Sequence, residues 1–342
     1  MRYLEIIMLV TILAVSAAGL IYFNKYLFNS YLESDFAGLQ AESLNFYLNT
    51  IQRQHEQKET TLLFVGDIML SREVGEQIKK RGDPRYPFLK TAEILNSADL
   101  TVGNLEGPIS NRGENQGSPY SFRADPKIIE GLKFAGFDIL SLANNHILDW
   151  GRKALEDTIL NLNESGIETV GAGKNYTEAN RPLIKEVNGI KFTFLSYTNL
   201  NPGSEATDSA AGISNFDLEE AAAKIGLFKK LKIAGFIVVL FHWGDEYQIH
   251  SNSNQREMAH QLIDAGADLI IGHHPHVIQE IENYHGKWIA YSLGNFVFDQ
   301  GFSEETMKGL MLKVMVRDKK IASITPLAIK INGSFQPEPE GL

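Results

Sequence analysis

Three of the nine histidines of this chain fall within four residues, in Gly272-His273-His274-Pro275-His276. They follow Asp268-Leu269-Ile270-Ile271, an apolar run that reads as a buried strand. Neutral imidazole is the commonest metal-binding side chain, and Pro275 pins the backbone between His274 and His276. A polar surface turn is the competing reading of this motif taken alone. Other strand ends carry the same kind of chemistry. Val65-Gly66-Asp67 puts a carboxylate straight after an apolar run, with Gly66 allowing tight backbone passage. Val102-Gly103-Asn104-Leu105-Glu106 offers an amide and a carboxylate. Leu142-Ala143-Asn144-Asn145-His146 continues to Asp149, and Leu240-Phe241-His242-Trp243-Gly244 continues to Asp245 and Glu246.

Each motif has a plain structural explanation. Asp67 could cap a helix, Asn104 and Asn144-Asn145 could make turns, and His242 could be a satisfied core histidine. Their recurrence at successive strand ends favours a shared site. Carboxylate, amide and imidazole without sulfur suit Mn, Fe or Zn better than an all-oxygen calcium site. A pair of such ions would hold an oxyanion and activate water. His146, beside an amide ligand, would then be positioned to protonate a leaving group. Other chemistries fail on the residues. Gly171-Ala172-Gly173-Lys174 is no phosphate loop, because Glu168 stands where glycine is needed and Asn175 follows the lysine. There is no H-E-x-x-H and no G-x-S-x-G elbow.

The elements that must position these groups alternate. Expected strands are Leu62-Val65, Asp99-Val102, Asp138-Ala143, Glu168-Val170, Lys191-Ser196, Phe236-Phe241, Asp268-Ile271 and Trp288-Ser292. Expected helices are Glu73-Arg81, Leu89-Asn96, Lys127-Phe134, Arg152-Asn163, Leu218-Ile233 and Gln255-Asp264. Such alternation means an α/β layered fold with largely parallel strands. Leu310-Val316 and Ile321-Ile331, joined at Asp318-Lys319-Lys320, read as an antiparallel hairpin.

The net charge of -10 argues against a nucleic-acid partner. The absence of cysteine excludes disulfides, thiolate ligands and a cysteine nucleophile. Ile6 to Phe23 is apolar apart from Thr11 and Ser16, the length of one membrane-spanning helix. Arg2 precedes it and Lys25 follows, a weak lean toward the N-terminus inside. A cleaved signal peptide competes, with small residues at Val15-Ser16-Ala17. Either reading puts the remainder outside the cytoplasm. The expected organisation is a membrane anchor over 1–27, a helical stalk over 28–59 with Leu44, Leu48 and Ile51 at helical spacing, and one domain over 60–342.

The motifs, in this order, resemble the CapA family of capsule and poly-gamma-glutamate synthesis proteins. The resemblance is carried by Gly66-Asp67-Ile68-Met69-Leu70, Asn104-Leu105-Glu106-Gly107, Asn144-Asn145-His146 with Asp149 and Gly151, His242-Trp243-Gly244, His274-Pro275-His276, Ser292-Leu293-Gly294-Asn295-Phe296 and the closing Gln336-Pro337. That family is related to the calcineurin-like metallophosphoesterases, so the resemblance implies a four-layer αββα sandwich with metals at strand ends. Asp67 matches the first residue of the D-x-H motif, whose histidine is Met69 here. Glu106 and Asn104 stand near the second-strand carboxylate. Asn145 and His146 match the G-N-H motif, His242 the lone histidine, and His274 and His276 the final H-x-H. The resemblance thus implies metal ligands at Asp67, Glu106, Asn145, His242, His274 and His276, catalytic roles for His146 and Asp149, and substrate or supporting roles for Asn104, Asn144, Glu246, His273 and Asn295. A His273/His276 ligand pair is the alternative register.

The implied cofactor is one or two divalent ions, Mn, Fe or Zn. The expected function is a single-pass, extracytoplasmic, metal-dependent hydrolase or transferase acting on an anionic surface polymer or its precursor, at a phosphoester or gamma-linked amide. The alternative is a non-catalytic, metal-stabilised scaffold within a polymer-synthase complex.

Overall fold

The computed structural model describes residues 59–341, so the expected anchor and nearly all of the expected stalk lie outside the described residues. Among the described residues no helix is long and apolar enough to cross a membrane. The chain enters at β1 (Glu59–Ile68), so Glu59 belongs to the first strand rather than to the stalk. The other strands are β2 (Leu100–Leu105), β3 (Ile139–Ser141), β4 (Glu168–Val170), β5 (Ala172–Gly173), β6 (Leu183–Val187), β7 (Ile190–Thr198), β8 (Gly212–Ile213), β9 (Phe236–His242), β10 (Leu269–His273), β11 (Ile281–Tyr284), β12 (Lys287–Ala290), β13 (Asn295–Val297), β14 (Lys308–Arg317), β15 (Lys320–Ile331) and β16 (Pro337–Pro339). The helices are α1 (Arg72–Arg81), α2 (Ala92–Leu95), α3 (Ile129–Ala135), α4 (Gly151–Glu164), α5 (Tyr176–Ala179), α6 (Leu218–Leu231) and α7 (Ser253–Ala265).

The strands form an eight-stranded sheet in the order β16-β15-β14-β1-β2-β3-β4 with β13 beside β1, a six-stranded sheet in the order β11-β12-β10-β9-β7-β6, and a small antiparallel pair, β5 with β8. β1 to β4 run parallel, as do β7, β9, β10 and β12. Their near-continuous apolar runs have a simple cause, since both faces are covered. Leu62 and Phe64 of β1 pack with Phe194, Val238 and Ile271 of the second sheet. Leu63 and Val65 face the opposite way, among Val74, Leu132 and Leu155 of α1, α3 and α4. The second sheet repeats this alternation, with Ile237, Val239 and Phe241 packed on Ile225 of α6 and Met258 and Leu262 of α7. An apolar core therefore lies between two sheets, and helices cover their outer faces: a mixed α/β fold.

Several elements differ from expectation for local reasons. The strand expected to reach Ala143 stops at Ser141, because Asn144 N–H donates to the Leu142 carbonyl (3.0 Å) and turns the chain. The helix expected from Leu89 shortens to Ala92–Leu95, preceded by the 3₁₀ turn Tyr86–Phe88 that carries Pro87. β6, β11 and β13 were not anticipated; β6 and β11 are half-exposed hairpin strands, polar enough to read as loops.

Candidate metal centre

The register of the sheets brings the candidate groups together. Asp67, at the end of β1, pairs with Asn104 of β2 on one side and Asn295 of β13 on the other. His242 of β9 pairs with His273 of β10. Gly66 permits this packing, because a Cβ there would sit 2.0 Å from the Gly294 carbonyl oxygen. The chain after β10 then bends sharply. His274 and His276 both adopt left-handed backbone, at φ 99° and 58°. Such conformations cost on the order of 1–3 kcal/mol each and persist only where the surroundings enforce them.

Two groups of ligand-type atoms result. Asp67, Glu106 and His242 each offer an atom within 4.8 Å of the others, and all three are buried. Glu246, His274 and His276 form a second such group, in which Glu246 is exposed. The groups adjoin: His276 Nδ1 lies 3.4 Å from Asp67 Oδ2, and His276 Nε2 lies 3.6 Å from Glu106 Oε1. Asn145 Oδ1 is 2.8 Å from His242 Nε2. Of the residues expected as ligands, the structure thus gathers Asp67, Glu106, Asn145, His242, His274 and His276, and it adds Glu246, which sequence reasoning kept outside the ligand set.

Supporting groups hold these atoms. Asn104 Nδ2 donates to Asp67 Oδ1 at 2.8 Å, and Asn144 Nδ2 donates to Asn104 Oδ1 and to the Leu105 carbonyl. His274 N–H donates to Asp67 Oδ2 at 3.1 Å. Asn295 Oδ1 lies 3.0 Å from His276 Nδ1 and can accept its proton, which leaves Nε2 bare toward Glu106. His273 turns elsewhere, with Nε2 3.1 Å from the Val65 carbonyl between the sheets. Met69 joins the core beside β1, and its sulfur accepts from Ser71 N–H and Oγ–H.

Glu106 has the least satisfied surroundings. Both carboxylate oxygens are buried and have no hydrogen-bond partner among the described residues. An isolated buried carboxylate costs several kcal/mol. Burial, with Asp67 and Glu246 adding repulsion, outweighs the nearby imidazoles and pushes Glu106 up to about 7. Asp67 responds oppositely: burial raises it, but the His276 hydrogen bond and the charges of His273, His276 and His242 hold it below the usual carboxylate range. Burial depresses His276, yet the Glu106 and Asp67 carboxylates lift it to about 9. Burial and the neighbouring His276 press His274 down to about 3, and burial with His274 keeps His242 well below its ordinary value. Two buried carboxylates therefore sit beside His276, whose proton they hold, and beside His274 and His242, which burial keeps neutral and free to bind a cation. Orphaned Glu106 oxygens and a partnerless buried His274 Nδ1 make this a good fit for a divalent cation.

His146 stands at the edge of this cluster. Its Nδ1 lies 2.8 Å from Asp149 Oδ2 and its Nε2 lies 3.9 Å from Glu106 Oε1. Burial lowers its basicity, but Asp149 and Glu106 together raise it above the ordinary value. Phe122, absent from the sequence reading, completes the arrangement: its ring lies 4.1 Å from the His146 ring, and its N–H donates to Asp149. It sits in an irregular loop with no periodic signal. Beside the cluster opens a polar cleft of about 880 Å³, lined by Gln116, Asn145, Trp150, Arg152, Lys153 and Asn201 among others.

Comparison with known proteins gives a consistent picture. The family model described as bacterial capsule synthesis protein PGA_cap matches residues 61–300. Capsule biosynthesis protein CapA of Bacillus anthracis is 34% identical over 294 residues, covering 83% of this chain and 71% of that relative. PGA biosynthesis protein CapA of Bacillus subtilis is 35% identical over 245 residues, covering 70% of this chain and 63% of that relative. A probable polyglutamine synthesis accessory protein of Mycobacterium tuberculosis is 29% identical over 248 residues, covering 68% and 65%. Among solved structures, a hypothetical protein from Thermus thermophilus superposes with a TM-score of 0.51 at 17% identity, covering 79% of this chain and 99% of that one. A putative 5'-nucleotidase from Staphylococcus aureus gives 0.51 at 14% identity, covering 82% and 54%. The chain thus shares its fold with these two structures.

Proposed function

Because this chain belongs to the bacterial capsule synthesis protein family PGA_cap, we propose that it acts outside the cytoplasm as a metal-dependent hydrolase or transferase on an anionic surface polymer, poly-gamma-glutamate or its carrier. The layering of helices and sheets is read as the four-layer αββα sandwich that the family resemblance implies. The observation that carries the proposal is the pair of orphaned Glu106 oxygens beside Asp67 and His242.

In this reading Asp67, Glu106, Asn145, His242, His274 and His276 hold one or two ions, with Mn, Fe or Zn suited to the mixed oxygen and nitrogen set. Glu246 closes the outer side. A bound divalent ion would polarise the scissile group and lower the pKa of the attacking water or acceptor amine. Asn104 fixes the rotamer of Asp67, and Asn295 fixes the tautomer of His276. Asp149 holds the proton of His146 Nδ1, which aims Nε2 at the cluster. From there Nε2 can deliver a proton to the departing oxygen or nitrogen of a phosphoester or gamma-amide. The polar cleft offers Arg152 and Lys153 to the carboxylates of an extended polymer.

A scaffold reading draws on Met69, which packs in the core where the phosphoesterase pattern has a ligand. A direct test is to purify the full chain in detergent, measure its metal content, and assay phosphoesters and gamma-glutamyl polymer with the wild type and His146→Ala. The enzyme reading expects metal in both proteins and turnover in the wild type alone. Metal without turnover, with normal polymer production by His146→Ala cells, would favour the scaffold. A folded chain without metal would overturn both.

A further inference from the structure

The parallel strands of both sheets end at the metal centre, so their beginnings lie at the opposite pole. Contacts there join the sheets. Asn188, in the β6–β7 turn, donates to the Glu59 carbonyl at 3.0 Å and to Asp99 Oδ1 at 3.1 Å, and Thr60 Oγ1 donates to the Val187 carbonyl. The β14–β15 turn is also at this pole, since Arg317 pairs with Glu59 in register and by an ion pair. α6 arrives there too, because Phe236 begins the next strand and a Cβ on Gly235 would meet the Lys191 carbonyl oxygen at 2.1 Å.

The end of α6 is unusual for a domain surface. Leu227 and Leu231 lie one helical turn apart and are 51% and 55% exposed, and Ile233 just beyond is 47% exposed. Lys230 and Lys232 are interleaved with them, and Lys319 and Lys320 project from the β14–β15 turn. None of these four lysines has an ion-pair partner among the described residues. Of the acids at the pole, Glu186 at the end of β6 is exposed without an ion pair among the described residues, whereas Asp268 is engaged by Lys229 and Lys287, Glu59 by Arg317, and Asp99 by Thr61 N–H and Asn188. Asp318, in the same turn, stays exposed. Free lysines and exposed leucines at one pole, on a chain of net charge -10, form an interfacial membrane-binding pattern. The 58 residues that precede β1, with their apolar run Ile6 to Phe23, join the domain at this same pole.

We propose that this pole rests on an anionic phospholipid surface, with Leu227, Leu231 and Ile233 in the headgroup boundary and Lys230, Lys232, Lys319 and Lys320 against the lipid phosphates. β9 spans seven residues from Phe236 to His242, about 20 Å at a strand's rise per residue. Docking therefore turns the metal centre and its cleft away from the bilayer, toward the medium and any polymer leaving the surface. A bare tether fixes the distance of the domain from the membrane; this contact fixes its orientation.

The chain has no cysteine, so single reporters can be introduced cleanly. The full chain is reconstituted in vesicles of phosphatidylcholine, with or without phosphatidylglycerol, carrying a spin label at Leu231→Cys or at Phe302→Cys. Phe302 marks the other pole, 5.0 Å from the Tyr247 ring beside His276. The expected result is a label at 231 that enters the headgroup boundary only with phosphatidylglycerol, and a label at 302 that stays in water. Lys230→Glu with Lys232→Glu should lower this contact at least roughly 25-fold, since each lysine contributes about fivefold. A label at 231 that stays equally aqueous in both lipids overturns the proposal. So does shielding at 231 that persists unchanged in detergent, which would mark self-association instead.

Discussion

The two ligand groups of the centre share three imidazoles and three carboxylates between them but differ in what surrounds them. Asp67, Glu106 and His242 are all buried, whereas the second group depends on exposed Glu246. In the buried group Asp67 is held by Asn104 and the His274 N–H and His242 by its place in β9, while Glu106 is buried with neither carboxylate oxygen hydrogen-bonded among the described residues. In the outer group the backbone is strained at His274 and His276, and the third ligand must forgo side-chain freedom in water. The difference teaches that a cation in the buried group offsets the cost of burying Glu106, and so stabilises the fold. A cation in the outer group gains less and exchanges more readily.

Substitutions can break this comparison. The largest expected effect is that of Glu106→Gln, which is nearly isosteric. It should abolish tight binding in the buried group, lowering affinity by more than the roughly 10–100-fold that losing an outer-shell partner costs, and turnover should disappear with it. Metal titration of the folded variant by calorimetry checks this, and unchanged affinity would mean that Glu106 is no ligand. His146→Ala separates binding from chemistry. Turnover should fall on the order of 10²–10⁴-fold while metal affinity stays within error, and the loss should shrink for substrates with acidic leaving groups. Asn295→Ala frees the His276 tautomer and should cost about 10–100-fold in affinity, read by the same titration. Glu246→Gln should have the smallest effect. It should weaken only the second binding event, and equal losses at both events would erase the distinction between the groups.

Chelation gives a stability test of the same contrast. A cation present at a hundred times its Kd adds about 2.7 kcal/mol to the folded state. Adding EDTA to the wild type should therefore lower the unfolding temperature by several degrees, and Glu106→Gln should show no such drop. Calorimetric scans of both proteins make the comparison.

Much of this centre was legible in the sequence because each ligand follows an apolar run. Asp67 and His242 stand at the ends of buried strands and the His274-Pro275-His276 motif comes straight after one, where α/β folds collect chemistry. Glu246 was harder. It lies in an irregular segment after β9, and no local pattern says that the loop folds back over His274 and His276. Phe122 lacked any signal for the same reason. Met69 could be recognised as a departure from the phosphoesterase pattern, but its burial with Ser71 against the sulfur needed coordinates. Central strands were readable from apolar runs, while β6 and β11, half-exposed partners in hairpins, were not. Their pairing comes from neighbours distant from the local residue pattern. The N-terminal anchor is expected from residues 6–23 alone, and its presence remains a proposal.

The account turns on a divalent cation at Glu106. The most direct test is to measure metal per chain by plasma mass spectrometry, on wild-type full-length protein and on Glu106→Gln purified in parallel and shown to be folded. The expected result is at least one divalent ion retained per wild-type chain through dialysis, and a clear loss in the variant. A folded wild type that retains no ion, or equal retention in both proteins, would contradict it.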